Sequence, residues 1–443
     1  MTNMDWIRSE LGGLYGGEAI RELSGLNALY ALYEGRSDGA KPQTNLIKKL
    51  IKEESRFMAG RAPEIRILSE ARHMEKAREI ERFLHGTLEA NDWRKRLISG
   101  VRDCFIGKRV ALCLDGAPGR AATVRFIPST GFVCERDEDD RLTKIIFFYG
   151  MNDLGERARQ RVYRKKLWLE RGRCLIDEGV YDGYGRLMEV RRAGEDTGLR
   201  FIPAYVIVND ALTGDPMGES DVAELAENQN AYDRLRRDDI DALRFNMFPQ
   251  KVLVDASQAS VEQVVIAPGA LIDLATDPSR GDHAQASASV LEPKFGYDGR
   301  YEHAVGRIRG DMHDLMSVPE ATVELLKGFA ASGKAMRAAY WGLISRCEEK
   351  WAEWDGALTW MARRLVEMAR VYGACELPEI DFSVKIEHLY PIVDDEEAER
   401  ARDLAEVAGG ARSRLGFIRK WQLEADAEGE LRQIESERGA GTA

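Results

Sequence analysis

The sequence predicts an α+β fold, and three observations carry that expectation. Apolar residues three and four apart fill the first hundred residues. Alternating, β-branched and aromatic runs fill the second hundred. Further on, two helical patterns bracket a small β segment. No regular β–α–β alternation runs through the chain.

The elements follow in order. Helices are predicted over Glu18–Tyr33, Asn45–Met58 and Glu70–Leu84. Strands are predicted over Val110–Leu114, Thr123–Ile127, Lys144–Tyr149, Tyr163–Leu169 and Phe201–Val208, with turns at Asp115-Gly116 and Pro118-Gly119. Asn209–Gly218 reads as a loop, and Ser220 is placed to cap a helix whose first turn carries Asp221 and Glu224. That helix is expected to reach Met247, where Pro249 ends it. Its apolar positions (Val222, Leu225, Tyr232, Leu235, Leu243) are sparse among acids and arginines, so it needs neighbours on more than one side.

Lys251–Val254 and Val264–Ile266 are short strand candidates, and the polar Asp277–Ser289 is expected to be mobile. A helix from Asp298 carries Tyr301, Val305, Ile308, Met312 and Met316 and ends at Pro319. Ser332 is placed to cap one long helix, whose stripe from Met336 through Trp351 and Trp354 to Tyr372 spans roughly 60 Å at 1.5 Å per residue. At that spacing Trp351 and Trp354 are core. Gly373 stops it. A strand over Ile380–Ile392, an acidic helix over Asp394–Val407, a break at Gly409-Gly410 and two short helices complete the chain. Two helices around a small β insert suggest a hairpin-like protrusion with a knob at its tip.

Composition bounds the function. The 443 residues carry 44 % hydrophobic residues, enough to bury large cores. A net charge of −11 excludes a protein that grips nucleic acid over its whole surface. The N-terminal MTNMDWIRSE has acids and no apolar run, unlike a signal peptide, and no stretch approaches the ~20 apolar residues of a membrane span. Cys104, Cys113, Cys134, Cys174, Cys347 and Cys375 form no C-x-x-C pair, so free, mostly buried thiols are expected.

One motif has the spacing of a chemical site. Gly328-Phe-Ala-Ala-Ser-Gly333-Lys334 has the spacing of a phosphate-binding P-loop, and a P-loop-like nucleotide-hydrolysing enzyme is the alternative reading. Ala335 replaces the Ser or Thr such a site needs for its metal, and no α/β alternation surrounds the motif. The six histidines show no metal spacing; His303 and His313 are expected at the surface. No catalytic constellation, cofactor or metal site is indicated. Arg157, Arg159, Arg161, Arg164, Lys165, Lys166, Arg171 and Arg173 crowd one stretch, as a phosphate-contacting patch, a solvated face or a subunit interface.

The order of parts resembles the portal proteins of tailed double-stranded-DNA bacteriophages, of the siphophage type. Four stretches carry the resemblance: Asn45 through Met58-Ala-Gly60-Arg61-Ala62-Pro63; Ile202-Pro203 through Gly218-Glu219-Ser220-Asp221 and on to Phe248-Pro249; Ala331-Ser332-Gly333-Lys334-Ala335-Met336; and Ala408-Gly409-Gly410 through Arg414, then Glu430 to Glu437. It assigns Gly333-Lys334 to a helix start with no nucleotide.

The resemblance implies a non-enzymatic ring, usually of twelve subunits, at one capsid vertex of the virion, assembled in the host cytoplasm. It implies a wing (1–215 and 334–393), a stem of two helices (216–248 and 298–316), a clip (249–297), a tunnel loop (317–333) and a short crown (394–443). The partners implied are double-stranded DNA in the channel, the terminase large subunit, a head–tail adaptor, and the major capsid and scaffold proteins; no membrane is implied. A duplex slides through a channel only if few cations hold it, since each phosphate contact adds affinity. Glu227, Asp238 and Asp241 are therefore expected at the lumen or its rim, with Lys327 and Arg307 as local channel contacts.

Overall fold

The computed structural model describes residues 13–36, 44–151, 161–182, 186–247, 250–258, 262, 275–277, 279, 285–291, 298–320, 333–392, 396–421 and 427–440. The chain forms two compact units. The first comprises residues 1–30, 50–221 and 316–443; the second comprises 31–49 and 222–315.

In the first unit, helix α1 (Gly13–Glu34) and helix α2 (Leu46–Ala59) begin the chain and continue into the second unit. Strand β1 (Glu64–Leu68), a short 3-10 turn at Ala71–His73, helix α3 (Met74–Ala90) and helix α4 (Trp93–Gly107) follow. Then come β2 (Arg109–Asp115), β3 (Thr123–Pro128), β4 (Phe132–Arg136), β5 (Leu142–Met151), β6 (Arg161–Glu170), β7 (Arg173–Tyr181), β8 (Leu187–Asp196) and β9 (Ala204–Val208). A three-stranded antiparallel sheet runs β3-β2-β9, and a five-stranded meander runs β4-β5-β6-β7-β8. The expected helix–strand division of the first two hundred residues holds. Four strands (β1, β4, β7, β8) and α4 add to it.

β2 is buried along six of its seven residues, so it reads as a continuous apolar run and not an alternation. α4 packs on it and on β3. Gly100 is required there: a Cβ at that position would lie 2.4 Å from the Phe126 ring. That ring sits between Trp93 (5.8 Å) and Trp354 (5.6 Å), and Trp354 meets Trp351 edge-on at 6.4 Å. Trp351 and Trp354 are thus core, as expected of an aromatic stripe at helical spacing.

The stripe does not belong to one continuous helix. It is divided into α7 (Gly333–Ala339) and α8 (Trp341–Val371) at Tyr340. Tyr340 holds φ −95° and ψ 7°, off the helical basin, while its ring stacks flat on Phe57 at 5.4 Å. Ser332 lies outside the described residues. Gly373 stops α8 as expected: its φ of +63° lets Ala374 N–H reach back to the Ala369 carbonyl at 3.0 Å.

Strand β12 (Ser383–Glu387) is shorter than Ile380–Ile392, because its partner β1 offers only five residues to pair with. The last elements are α9 (Glu396–Ala408), α10 (Arg414–Trp421) and α11 (Ala427–Ala440), with Gly410 at φ +73° in the break. Trp421 Nε1 donates to Asp403 at 2.6 Å, and Asp403 pairs with Arg412 (2.6 Å) and Lys420 (2.8 Å).

The second unit contains helix α5 (Asp221–Met247) beyond its first residue, strands β10 (Gln250–Val254) and β11 (Ser287–Leu291), and helix α6 (Asp298–Leu315). Gln229 of α5 is buried and fully used. Its Oε1 accepts from Leu46 N–H at 2.9 Å, and its Nε2 donates to the Thr44 carbonyl and to Asp233 Oδ1, both at 3.0 Å. With Asn45 Oδ1 accepting from Lys48 N–H at 2.7 Å, it satisfies the free donors at the start of α2.

Two expectations change in this unit. Ser287–Ser289, placed in a mobile stretch, pair with β10 from Val252 to Val254: a free strand edge recruits small residues whose own propensity is weak. Val264–Ile266 lies outside the described residues. His313 is buried, whereas His303 is exposed: ten residues turn a helix to a position about 80° away, which is enough to change sides.

Candidate nucleic-acid interface

α5 buries Val222, Leu225, Gln229, Tyr232 and Asp233 on one side. Glu227, Asp238 and Asp241 are exposed. Successive separations of eleven and three residues put these three within an arc of about 60° at 100° per residue. Arg234, seven residues from both Glu227 and Asp241, shares the arc, and Asp241 pairs with Arg244 at 3.2 Å. The helix therefore offers a solvated face with three carboxylates and one guanidinium, and this face accounts for its sparse amphipathicity. Arg307 is exposed on α6, four residues from the exposed Asp311. Lys327, Arg157 and Arg159 lie outside the described residues.

The basic stretch does not form one patch. Along β6 successive side chains point to opposite faces, so Arg161 and Lys165 leave from one side and Arg164 and Lys166 from the other. Lys165 points inward. It is buried and ion-paired with Asp115, which also holds Arg125. Burial would raise the Asp115 carboxyl, but these two cations overcome it and hold it below the usual range. Arg164 lies over the Tyr181 ring at 4.4 Å, Lys166 over Trp168 at 5.0 Å, and Arg173 pairs with Asp196 at 3.0 Å. Arg171 and Gly172, both at positive φ, make the β6–β7 turn. Much of this charge serves the sheet itself.

Gly333 and Lys334 open α7, a seven-residue helix. Every strand pairing among the described residues is antiparallel, so the parallel strand–loop–helix unit that presents a P-loop is absent among them. No group of His, Cys, Asp and Glu among the described residues could hold a metal ion, and no helix among them is long and apolar enough to cross a membrane.

The chemistry that sequence reasoning missed is a buried square of charge. Asp221, the first residue of α5, is 3 % exposed and Glu54 of α2 is 0 % exposed. Lys350 Nζ of α8 lies 2.8 Å from Glu54 Oε1 and 2.6 Å from Asp221 Oδ2. Arg346, one turn earlier, lies 3.0 Å from Glu54 Oε1 and 2.9 Å from Asp221 Oδ1. The Lys350 ammonium also sits 3.7 Å above the Phe105 ring. Burial alone would lower the Lys350 ammonium, but Asp221 and Glu54 outweigh it and raise it, so the lysine stays charged. Burial raises the Glu54 carboxyl, and its Oε2 has no hydrogen-bond partner.

Around the square, Asn209 Nδ2 donates to the Glu219 carbonyl at 2.9 Å and to Asp221 Oδ1 at 3.3 Å. Ser220, expected as a cap, donates to the Ile106 carbonyl at 2.7 Å. Gly218 has φ +68°, and a Cβ there would lie 2.4 Å from the Asn209 carbonyl oxygen. Glu54, Asp221 and the Arg346–Lys350 pair lie far apart in sequence, so spacing alone gives no signal for the cluster. Only Asp221 was visible, as a helix-dipole residue.

No curated protein matches the chain. Among solved structures it is similar to a chain in the virion of a native gene transfer agent particle, at 12 % identity and a TM-score of 0.43 over 88 % of this chain and 90 % of that one. It is also similar to a chain in the neck of a native gene transfer agent particle, at 12 % identity and a TM-score of 0.45 over 84 % and 88 %. The family described as phage portal protein, SPP1 Gp6-like, matches residues 21–441, nearly the whole sequence. An α+β chain with two polar helices around a small β pair, matched from end to end in this way, belongs to the SPP1 Gp6-like family of phage portal proteins.

Proposed function

We propose that the chain assembles into a cyclic ring of twelve subunits at one capsid vertex of a virion, and that its central channel passes double-stranded DNA in during packaging and out during ejection. Residues 1–215 and 334–393 form the wing, 216–248 and 298–316 the stem, 249–297 the clip, 317–333 the tunnel loop and 394–443 the crown. The single observation that carries this reading is the portal-family match over residues 21–441.

The polar face of α5 supports it. A ring helix meets neighbours on both sides through a heterologous interface that closes by rotation, and its remaining side faces a wet channel. A duplex presents one phosphate charge per ~1.7 Å, so a lining of Glu227, Asp238 and Asp241 repels it mildly and lets it move. Lys327 and Arg307 would make the local phosphate contacts. The clip docks the terminase large subunit during filling and a head–tail adaptor afterwards, and the outer surface meets capsid and scaffold proteins. The terminase supplies the energy, so this subunit hydrolyses nothing.

Native mass measurement with negative-stain imaging tests the reading. Twelve chains of 49.8 kDa give a particle of ~600 kDa with a central hole. A monomer with magnesium-dependent ATPase activity that Lys334→Ala abolishes would overturn it. Lys327→Ala is expected to package or retain DNA less well; a wild-type phenotype removes that assignment.

A further inference from the structure

The chain passes between its two units at four places: after Tyr30 in α1, before Leu50 in α2, after Asp221 at the start of α5, and before Met316 beyond α6. On the first unit's side, three of them (at α2, at α5 and beyond α6) lead to the same buried knot. Glu54 stands about one turn inside the α2 crossing, and Asp221 is itself the α5 crossing. Met316 is fully buried with its Sδ 3.8 Å from Arg346 Nη2. The Tyr30 hydroxyl donates to Asp103 Oδ1 at 3.2 Å, two residues from the Phe105 ring that lies under Lys350.

We propose that Glu54, Asp221, Arg346 and Lys350 are positioning residues, a clamp that fixes three of the four points at which the chain crosses the boundary of its first unit. The geometry carries the argument. Each cation touches both carboxylates, so the four groups form a closed square between three helices. A slip of α5 or α2 along α8 breaks two short contacts at once and strands a buried charge. An apolar contact of the same area would tolerate the slip. Buried ion pairs add little net stability over apolar packing of the same volume, and in some folds they fix register instead. The meaning of the clamp for a channel rests on the portal reading, since α5 and α6 are the stem helices there; the clamp itself does not.

Hydrogen exchange of the full-length protein, read by mass spectrometry, tests it without DNA. The variants are Lys350→Met and the charge-balanced Glu54→Gln/Lys350→Met, which leaves Arg346 and Asp221 paired. Amides in segments 46–59, 219–226 and 313–318 are expected to exchange about tenfold faster, with those of β2, β5 and β6 at the wild-type rate. Equal acceleration throughout the first unit would reduce the cluster to ordinary core, and unchanged exchange in the three segments would remove the clamp; either result overturns the proposal. If Lys350→Met does not fold, the double variant decides. A wild-type chain that forms no ring would overturn the portal reading and leave the exchange result standing.

Discussion

The charge of the α5 face can be reversed. Glu227→Lys, Asp238→Lys and Asp241→Lys each add two charges, so the three together move the chain from −11 to −5. The substituted positions span fourteen residues, about 21 Å of helix, along which a duplex presents ~12 phosphates. Three engaged lysines steepen the slope of log affinity against log salt by about 2.7, at about 0.9 per contact. Between 50 and 200 mM salt that corresponds to about a fortyfold larger loss of affinity than in wild type. The assay is fluorescence anisotropy of a short duplex titrated with assembled protein across that salt range. The control is Glu75→Lys/Glu79→Lys/Glu89→Lys, the same charge change on the exposed acids of α3. If the control gains affinity and salt dependence equally, the effect is one of net charge, and the placement of the α5 face along the channel is refuted.

Other outcomes follow from single sites. Burial, partly offset by the Tyr30 hydroxyl, pushes the Asp103 carboxyl up to about 6, so the folded protein binds a proton there that the unfolded chain releases nearer pH 4. That group costs stability as pH rises from about 4 to about 6, and Asp103→Asn is expected to gain on wild type over that window by about 2–3 kcal/mol in urea melts at fixed pH. Gly218→Ala places a Cβ against the Asn209 carbonyl at a left-handed φ and is expected to cost about 2–4 kcal/mol by thermal melting, while Gly214→Ala, with open space around it, costs about 1 kcal/mol. Burial pushes the Cys113 thiol up to about 12 and the Cys174 thiol up to about 11, with Cys104 and Cys347 also raised. Alkylation counted by intact mass is expected to modify the half-buried Cys134 and Cys375 first and all six cysteines only after unfolding.

What was legible in the sequence follows from what each element is exposed to. α2 and α8 bury one side, so their period shows in the apolar residues. α5 was legible by its polarity and by Pro249 at its end. β8 was not: its ten residues alternate in nothing, because nearly every one is exposed and the strand is an edge laid against β7. The break at Tyr340 was hidden because Tyr340 keeps the helical spacing of the stripe and leaves it only to stack on Phe57, a residue nearly three hundred positions earlier. The acidic face of α5 could be guessed residue by residue, since one helix carries it. The charge square could not, since Glu54 and Asp221 reach the Arg346–Lys350 pair only once three helices meet.

The β1–β12 pair sets an order of events. Glu64 pairs with Glu387, and Arg66 reaches both carboxylates at 2.7 and 3.5 Å. These two strands lie 323 residues apart. At about 5–20 residues per second, the first strand leaves the ribosome about 15–65 s before its partner exists. On its outer edge the strand is met by local side chains, His85 at the Ile65 carbonyl and Glu81 at the Ile67 amide. Residues 222–315 of the second unit are translated in that interval. Helices α5 and α6 are therefore complete on the nascent chain before β12 exists, and the first unit completes its β1–β12 pair only when the last third of the protein arrives.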